Sequence, residues 1–450
     1  MKPNIVLITC HDLGRFLHCY GVPTVRSPVL DAFAADGVRF TNMYCTAPQC
    51  SPSRASLFTG RYPHSNGVMG LGHAGFAWDL HPDEVHLGQV LKEAGYSTAL
   101  LGIAHEGIFH TSRGYTLAEI GARAGMDYVW PGDHPAEELS AHAVGVLDQL
   151  AQQRRPFYLQ IGYHEPHRVP ARARPEDGYM GFIGDHIEPD DQMGTTVPPY
   201  LKDTPAAREE IAELQGAVRH VDAAIGRVLD WVAASGMEEQ TLVIFTSDHG
   251  LALPRAKCSL YDPGIEIPLI VRFPSEGWTG GRQIDYLLSN LDIFPTLLEL
   301  LVLPVGATVQ GRSFLPLLRG GAYRPREAVF AEMTYHEYYD PMRCIRTDTH
   351  KLIVNFSAAP GFMDPSQSWR PRSEAVARGY HPTVELYDLV DDPVEVNNLA
   401  DAPEYAEFRS QLLARLYEEL RATHDPLLEG PVVSPMHLWA VAALEAAARA

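Results

Sequence analysis

Four short apolar runs rich in β-branched residues, each ending in a polar cluster, constrain this chain more than any other feature. Ile5 to Cys10 leads into His11-Asp12-Leu13-Gly14, and Ser97 to Leu101 leads towards His105. Phe157 to Gly162 leads into Tyr163-His164-Glu165-Pro166-His167-Arg168, and Thr241 to Thr246 into Ser247-Asp248-His249-Gly250. Helical patterns lie between and around them, over Pro28 to Gly37, Leu87 to Ala94, Ala136 to Gln153 and Ala206 to Ala234. Strands alternating with helices predict an α/β fold, a mostly parallel sheet with helices on both faces. Such sheets bind ligands at the carboxyl ends of their strands. The clusters at 11–12, near 105, at 164–168 and at 248–249 are therefore expected along one edge.

The 450 residues, 46% of them hydrophobic, suffice for one large α/β domain and a smaller one. The texture changes near residue 325. Cys344-Ile345-Arg346, Lys351-Leu352-Ile353-Val354 and Glu385-Leu386-Tyr387-Asp388-Leu389 read as strands of a small antiparallel sheet, and Glu404 to Thr423 as a helix. The expected division is a catalytic domain over 1–325, a C-terminal α+β subdomain over 326–425 and a helical tail over 426–450. The tail ends in an alanine-rich helix, Trp439 to Ala450, expected to dock on the body in preference to a second subunit of a homo-oligomer. A net charge of −20 argues against a nucleic-acid surface. An anionic substrate would need a local basic pocket. The first apolar run is too short for a signal-peptide core, and no run approaches a membrane span, so a cytoplasmic location without membrane contact is expected. Six scattered cysteines show no metal-binding spacing and read as free thiols.

One of these cysteines stands apart. Cys50-Ser51-Pro52-Ser53-Arg54 carries a proline two residues on and an arginine four residues on, and the segment from Ser53 to Thr59 reads as a short helix stopped by Gly60. His11-Asp12 and Asp248-His249 are two carboxylate–imidazole pairs, each just beyond a strand, and such sets suit a divalent cation. Either pair alone reads more readily as a loop or helix-capping pair than as a metal site. Two pairs framing the Cys50 element favour metal.

The Cys-x-Pro-x-Arg pattern resembles the site at which type I sulfatases of the alkaline phosphatase superfamily have a cysteine converted to formylglycine. The resemblance extends over Asn4 to Gly14, Cys50 to Gly67, Tyr96 to His105, Phe157 to His167, Thr241 to Gly250 and Glu385 to Ala400. It implies the alkaline-phosphatase-like sheet and a formylglycine-generating enzyme as partner. Cys50, as formylglycine, would be nucleophile and metal ligand, beside His11, Asp12, Asp248 and His249. Arg54 would hold the formylglycine hydroxyls, His105 would bond to them and help release sulfate, and His164 would protonate the leaving group. Lys257 would contact a sulfate oxygen, with Arg255 as competitor. Within the family the nearer likeness is to the sulfamidase branch, through Tyr163 to Arg168, Asp203 to Arg208, Tyr339 to Arg343 and Thr423 to Pro426. The loops shared with that branch make His73, His336, Glu337 and Arg343 candidate substrate contacts. His167 would border the substrate or support the site.

Two positions depart from the family pattern. His11 stands where the family turn begins with aspartate, and Ile103 stands where a lysine precedes the histidine by two residues. Calcium is the family expectation, but His11 with His249 would suit manganese, iron or zinc, unless His11 points away. Three functions follow as expectations. The first is a sulfatase cleaving S–O or S–N bonds, on a small sulfated substrate such as an amino sugar. The second, from His11, Ile103 and His249, is a phosphonate monoester hydrolase or phosphodiesterase of the same superfamily. The third is an inactive homologue that only binds.

Overall fold

The run Asn4-Ile5-Val6-Leu7-Ile8-Thr9-Cys10 is buried at every position, as the centre of a sheet covered on both faces requires. A computed structural model describes residues 2–73, 75–107, 116–170, 180–183, 187–358 and 380–449. In it this run is strand β1 (Asn4–Cys10). The same sheet holds β2 (Val38–Phe40), β3 (Ser97–Gly102), β4 (Tyr128–Pro131), β5 (Phe157–Gly162), β6 (Thr241–Ser247), β7 (Leu269–Arg272) and β8 (Arg282–Ile284). Their spatial order is β8-β2-β7-β6-β1-β5-β3-β4. Only β7 runs antiparallel to its neighbours; the other pairs are parallel.

Side chains alternate along each strand, and the two sets enter two different cores. Ile5, Leu7, Leu100, Leu242 and Ile244 pack on one face with Ala55 and Phe58 of α2 (Cys50–Thr59). Val6, Ile8, Leu101, Val243 and Phe245 pack on the other. That second face is covered by α1 (Pro28–Asp36), α3 (Ala136–Ala151) and α4 (Pro205–Ala234). The expected α/β architecture is thus present. Helix α2 begins one turn earlier than its sequence suggests, with Cys50 as its first residue.

The register sets the functional edge. Thr9 of β1 lies opposite Thr246 of β6 on one side and Gly162 of β5 on the other, and Gly162 lies opposite Gly102 of β3. Four adjacent strands therefore end level. A Cβ on Gly102, where φ is +76°, would sit 2.2 Å from the Gly162 carbonyl oxygen, and one on Gly162 2.4 Å from the Ile103 oxygen. The glycines let the backbones beyond β3 and β5 approach closely.

A second, antiparallel sheet contains β9 (Val329–Tyr335), β10 (Tyr339–Arg346), β11 (His350–Asn355) and β12 (Val384–Asp388), in that order. Met333, Met342 and Cys344 join the first core, while Ile345, Leu352 and Leu386 pack against Leu412, Leu416 and Leu420 of α5 (Ala406–Ala422). Sequence patterning finds β10 to β12 but not β9, whose alternation is broken by a buried Glu332. One expectation fails outright. The terminal helix α6 (Pro435–Arg449) does not dock on the body: it buries no residue. No helix among the described residues is long and apolar enough to cross a membrane.

Substituting Gly162→Ala should destabilise the protein by about 1–3 kcal/mol, since the contacting atoms are backbone that cannot yield. Gly145→Ala, where nothing lies within 4 Å of the added carbon, should be neutral or slightly stabilising. Thermal unfolding midpoints of the two variants, measured side by side, check the contrast.

Candidate functional site

Because β1 and β6 are parallel and level, the residues just past their ends meet. The Asp12 backbone N–H donates to Asp248 Oδ1 at 3.0 Å, and the Asp248 N–H to the Cys10 carbonyl at 3.3 Å. Asp12 sits in the left-handed region, at φ +58°, a strained conformation for a residue with a side chain. From the neighbouring strands, the rings of His105, His164 and His167 lie 5.5, 5.9 and 4.3 Å from that of His11, and His249 lies at 5.9 Å. The predicted clustering at one sheet edge is present. His11 points into the cluster: its Nδ1 is 2.7 Å from Asp12 Oδ1 and 3.4 Å from Asp248 Oδ2.

Helix α2 delivers the remaining groups. All ten of its residues are buried, and Asn290 Nδ2 donates to the Ser53 carbonyl at 3.0 Å, fixing its first turn. Cys50 at its N-terminus lies in the field of the helix dipole. Arg54, one turn on, donates from Nε to Asp248 Oδ2 at 3.1 Å and from Nη1 to Thr9 Oγ1 at 3.0 Å. Its Nη2 is buried without a hydrogen-bond partner among the described residues. Burial alone would raise the Cys50 thiol, but bonds to His105, His11, His249 and His336 hold it well below the usual thiol range.

Two buried carboxylates dominate the electrostatics. Burial would raise Asp12, yet Lys257 above all, with His11 and His249, holds it well below the ordinary range. Asp248 is lowered against burial by His11, His249 and Arg54. In return, burial is overcome on His11 and His249, whose pKa values are pushed up to about 10 and about 9 by Asp248 and Asp12. One ligand atom each from His11, Asp12, Asp248 and His249 lie within 4.8 Å of one another, as do atoms of His11, Cys50 and His105. Two carboxylates and two imidazoles at that spacing fit a divalent cation. The attraction that protonates both imidazoles here would, with a cation present, fall on the metal.

The other sequence candidates separate clearly. Lys257 Nζ donates to Asp12 Oδ2 at 3.1 Å, whereas Arg255 turns to the Val394 and Glu395 carbonyls and stacks on Tyr261. Lys257 therefore belongs to the cluster and Arg255 does not. His336 is buried and bonds to the Cys50 thiol, with Glu337 Oε2 2.5 Å from its Nδ1. His73 lies 6.0 Å from the His105 ring. His167 Nε2 is 3.8 Å from Asp12 Oδ2, and burial keeps it neutral. Burial likewise drives His164 down to about 3, opposed by Asp133, so it is a neutral imidazole. Ile103 is buried and apolar, so this position supplies no cation.

Arg343 corrects an expectation. It joins a second cluster, where its guanidinium pairs with Asp425 and donates to the Met333 and Met342 carbonyls at 2.9 Å. Glu332 and His64 complete that cluster. Arg343 is a structural clasp between the small sheet and the segment after α5. Asp133 was missed. It follows β4, is 53% exposed at its side chain, and puts Oδ1 3.8 Å from His164 Nε2. Tyr128-Val129-Trp130-Pro131 is a poor strand signal because it ends in proline, but reading it as a strand would have added a fifth tip to the edge.

The chain matches the sulfatase family model over residues 3–303 and the model for the C-terminal part of N-sulphoglucosamine sulphohydrolase over residues 253–363. Human N-sulphoglucosamine sulphohydrolase is 29% identical, covering 95% of this chain and 92% of that protein. Two solved structures show a similar fold. One is a sulfatase from a study of glycosaminoglycan metabolism by Bacteroides thetaiotaomicron, with TM-score 0.73, 23% identity, and 95% and 97% of the two chains covered. The other is a phosphonate monoester hydrolase of Agrobacterium radiobacter, with TM-score 0.68, 21% identity, and 94% and 96% covered.

Two outcomes test this geometry. Asp248→Asn should reduce the content of tightly bound divalent metal, measured by elemental analysis of purified protein, from about one ion per chain to a small fraction of that. Arg343→Ala should cost about 3–5 kcal/mol of stability, because it leaves Asp425 and Glu332 buried without their cation. Chemical denaturation reads that loss, and folded Arg343→Ala protein should keep its KM, which a substrate contact would not.

Proposed function

The chain belongs to the sulfatase family, and on that premise we propose that it is a formylglycine-dependent hydrolase of sulfated amino sugars, with the N-sulfate (sulfamate) bond as its preferred target. The observation that carries the reading is Cys50 at the buried start of α2, held between His105, His11, His249 and His336, with Arg54 one turn on bound to Asp248. Sulfatases in general use a metal ion and formylglycine. Here Asp12, Asp248, His249 and His11 would hold the ion, which would supply a fixed positive charge for the sulfuryl oxygens. With two imidazoles in the set, manganese, iron or zinc fits as well as the family's calcium. A formylglycine-generating enzyme is the implied partner.

The chain's own groups suit a two-step displacement. Cys50 as hydrated formylglycine carries two hydroxyls on one carbon. One attacks sulfur as the bond from sulfur to the leaving nitrogen or oxygen breaks, and the proton that the attacking hydroxyl gives up passes to the leaving group on the side of the neutral His164. The second hydroxyl then loses its proton to His105, the carbon–oxygen bond to sulfate breaks, and the aldehyde returns. Arg54, with an open Nη2, and Lys257 offset the charge on the sulfuryl oxygens.

Asp133 supports an amine as leaving group. An amine departing from sulfur ends as an ammonium ion at neutral pH, and a carboxylate 3.8 Å from His164 Nε2 stabilises that charge. An alcohol leaves neutral and gains little. The second reading, phosphonate monoester or phosphodiester hydrolysis, draws on the inward His11 and the apolar Ile103. An inactive binding homologue would keep Cys50 unmodified.

Mass spectrometry of the Cys50 peptide should show the aldehyde, lighter than the thiol form by about 18 Da. Unmodified cysteine throughout protein from its own host would favour the inactive homologue. Protein with verified formylglycine should release sulfate from N-sulfoglucosamine; no release from it or from an aryl sulfate would overturn the sulfatase reading, and faster turnover of an aryl phosphonate would establish the second. Asp133→Asn should lower kcat/KM on the sulfamate by about 10-fold while changing that on an aryl sulfate ester by less than about 3-fold.

A further inference from the structure

Cys50 as encoded is a thiol set among imidazoles, and that thiol form has a chemistry of its own. The Cys50 sulfur, one nitrogen of His11 and one of His105 all lie within 4.8 Å of one another. Cys50 and His11 are buried and His105 is half-buried, so the set is enclosed but open on one side. The three come from separate elements: the first turn of α2, the turn after β1 and the loop after β3. The fold itself therefore holds them together.

This donor set differs in kind from that of Asp12, Asp248 and His249. Thiolate and imidazole are ligands for zinc and its neighbours, whereas calcium and magnesium take oxygen. The geometry agrees. Two imidazoles bound through nitrogen to one tetrahedral ion place their ring centres about 5 Å apart. The rings of His11 and His105 are 5.5 Å apart and nearly perpendicular, at 81°. Bonds of about 2.3 Å to sulfur and about 2.0 Å to nitrogen separate neighbouring ligand atoms by about 3.5 Å, so the set has at most about 1.3 Å to close. His11 is also braced as a metal-binding histidine is. Its Nδ1 is 2.7 Å from Asp12 Oδ1, which leaves Nε2, buried and without a nitrogen or oxygen partner among the described residues, for Cys50. A carboxylate on the far nitrogen fixes the ring and makes it a better donor.

We propose that the chain with Cys50 unmodified holds a thiophilic divalent ion of the zinc class on Cys50 Sγ, His11 Nε2 and His105, with water in the fourth position. The thiol proton goes to solvent as the metal–sulfur bond forms. Formylglycine removes the sulfur and with it the site, so conversion of Cys50 changes which metal the chain prefers. A neutral imidazole has one lone pair to give. His11 thus serves one ion at a time, and an ion on Cys50 competes with one on Asp12, Asp248 and His249. The inference goes beyond the proposed hydrolysis and requires neither sulfate chemistry nor formylglycine.

The test is titration of metal-free, full-length chain with cobalt(II), after mass spectrometry has verified the Cys50 thiol. The expected result is a near-ultraviolet thiolate-to-cobalt charge-transfer band that saturates at a single cobalt per chain and is bleached by zinc. Cys50→Ser should abolish the band. His105→Ala, at a half-buried position that spares the fold, should weaken cobalt binding by about 100-fold or more, since even residues that only support a ligand cost up to about that much. Asp248→Asn should keep the band. No band in the thiol chain overturns the proposal. So does a band that survives Cys50→Ser, which puts cobalt on another cysteine, or one that His105→Ala leaves at full affinity. Loss of the band in folded Asp248→Asn overturns it too, by assigning the cobalt to the carboxylate pair. Sulfate release is read on formylglycine protein, so either idea can fail without the other.

Discussion

Two carboxylates that the fold forces together are the constraint on which the rest of the site depends. Asp12 and Asp248 follow the ends of adjacent parallel strands, and a backbone N–H of one donates to the carboxylate of the other at 3.0 Å. Both are buried, where like charges repel strongly and each has lost its water. The surroundings answer that repulsion group by group. Arg54 reaches Asp248 from the α2 helix, Lys257 reaches Asp12 from the loop after β6, and His11 and His249 lie against both carboxylates. A divalent cation completes the same balance with less reliance on protonated imidazoles. The anchoring also works in reverse: Arg54 is bound to a fixed carboxylate, so Cys50, one helical turn away, is placed by the same interaction that neutralises Asp248.

Much of this was legible in the sequence because it rests on local patterns. Each central strand is a continuous apolar run, and each polar cluster follows its run directly, so parallel pairing alone brings His11, Asp12, His105, His164, Asp248 and His249 to one edge. Cys50 and Arg54 are four residues apart, the spacing of one helix face. Placing both on that face needs the helix to begin at Cys50, one turn before the pattern from Ser53 suggests. The direction of His11, left open by sequence, is decided by contact, with Nδ1 at 2.7 Å from Asp12.

What could not be read depends on contacts between distant segments. Arg343 and Asp425 are 82 residues apart and Glu332 lies on another strand, so nothing local shows that a cation in a strand-rich segment is a buried clasp and not a substrate contact. Asp133 follows an edge strand too short and too polar in setting to stand out, and its importance comes only from His164 opposite. Lys257 and Arg255 are indistinguishable in sequence. They differ because the turn between Leu253 and Cys258, with Arg255 and Cys258 both in the left-handed region, aims them to different sides. Helix α6 illustrates the opposite limit. Its apolar composition reads as a docked helix, yet Pro435–Arg449 buries no residue on the body.

The two departures from the family pattern are best understood together. Relative to that pattern, His11 removes one negative charge from the metal turn and Ile103 removes one positive charge near the histidine after β3. The positions are close in space, since the His11 and His105 rings are 5.5 Å apart and Ile103 is two residues before His105. With His11 neutral, as it would be against a bound cation, one loss offsets the other, so the net charge facing an anionic sulfuryl group is preserved. Either change alone would leave an uncompensated buried charge, with a cost of several kcal/mol. The pair together yields a site that is less ionic on the His105 side, where Ile103 is buried. On the other side, Asp133 places a carboxylate oxygen 3.8 Å from His164 Nε2. That carboxylate is the observation on which the proposed preference for an amine leaving group rests.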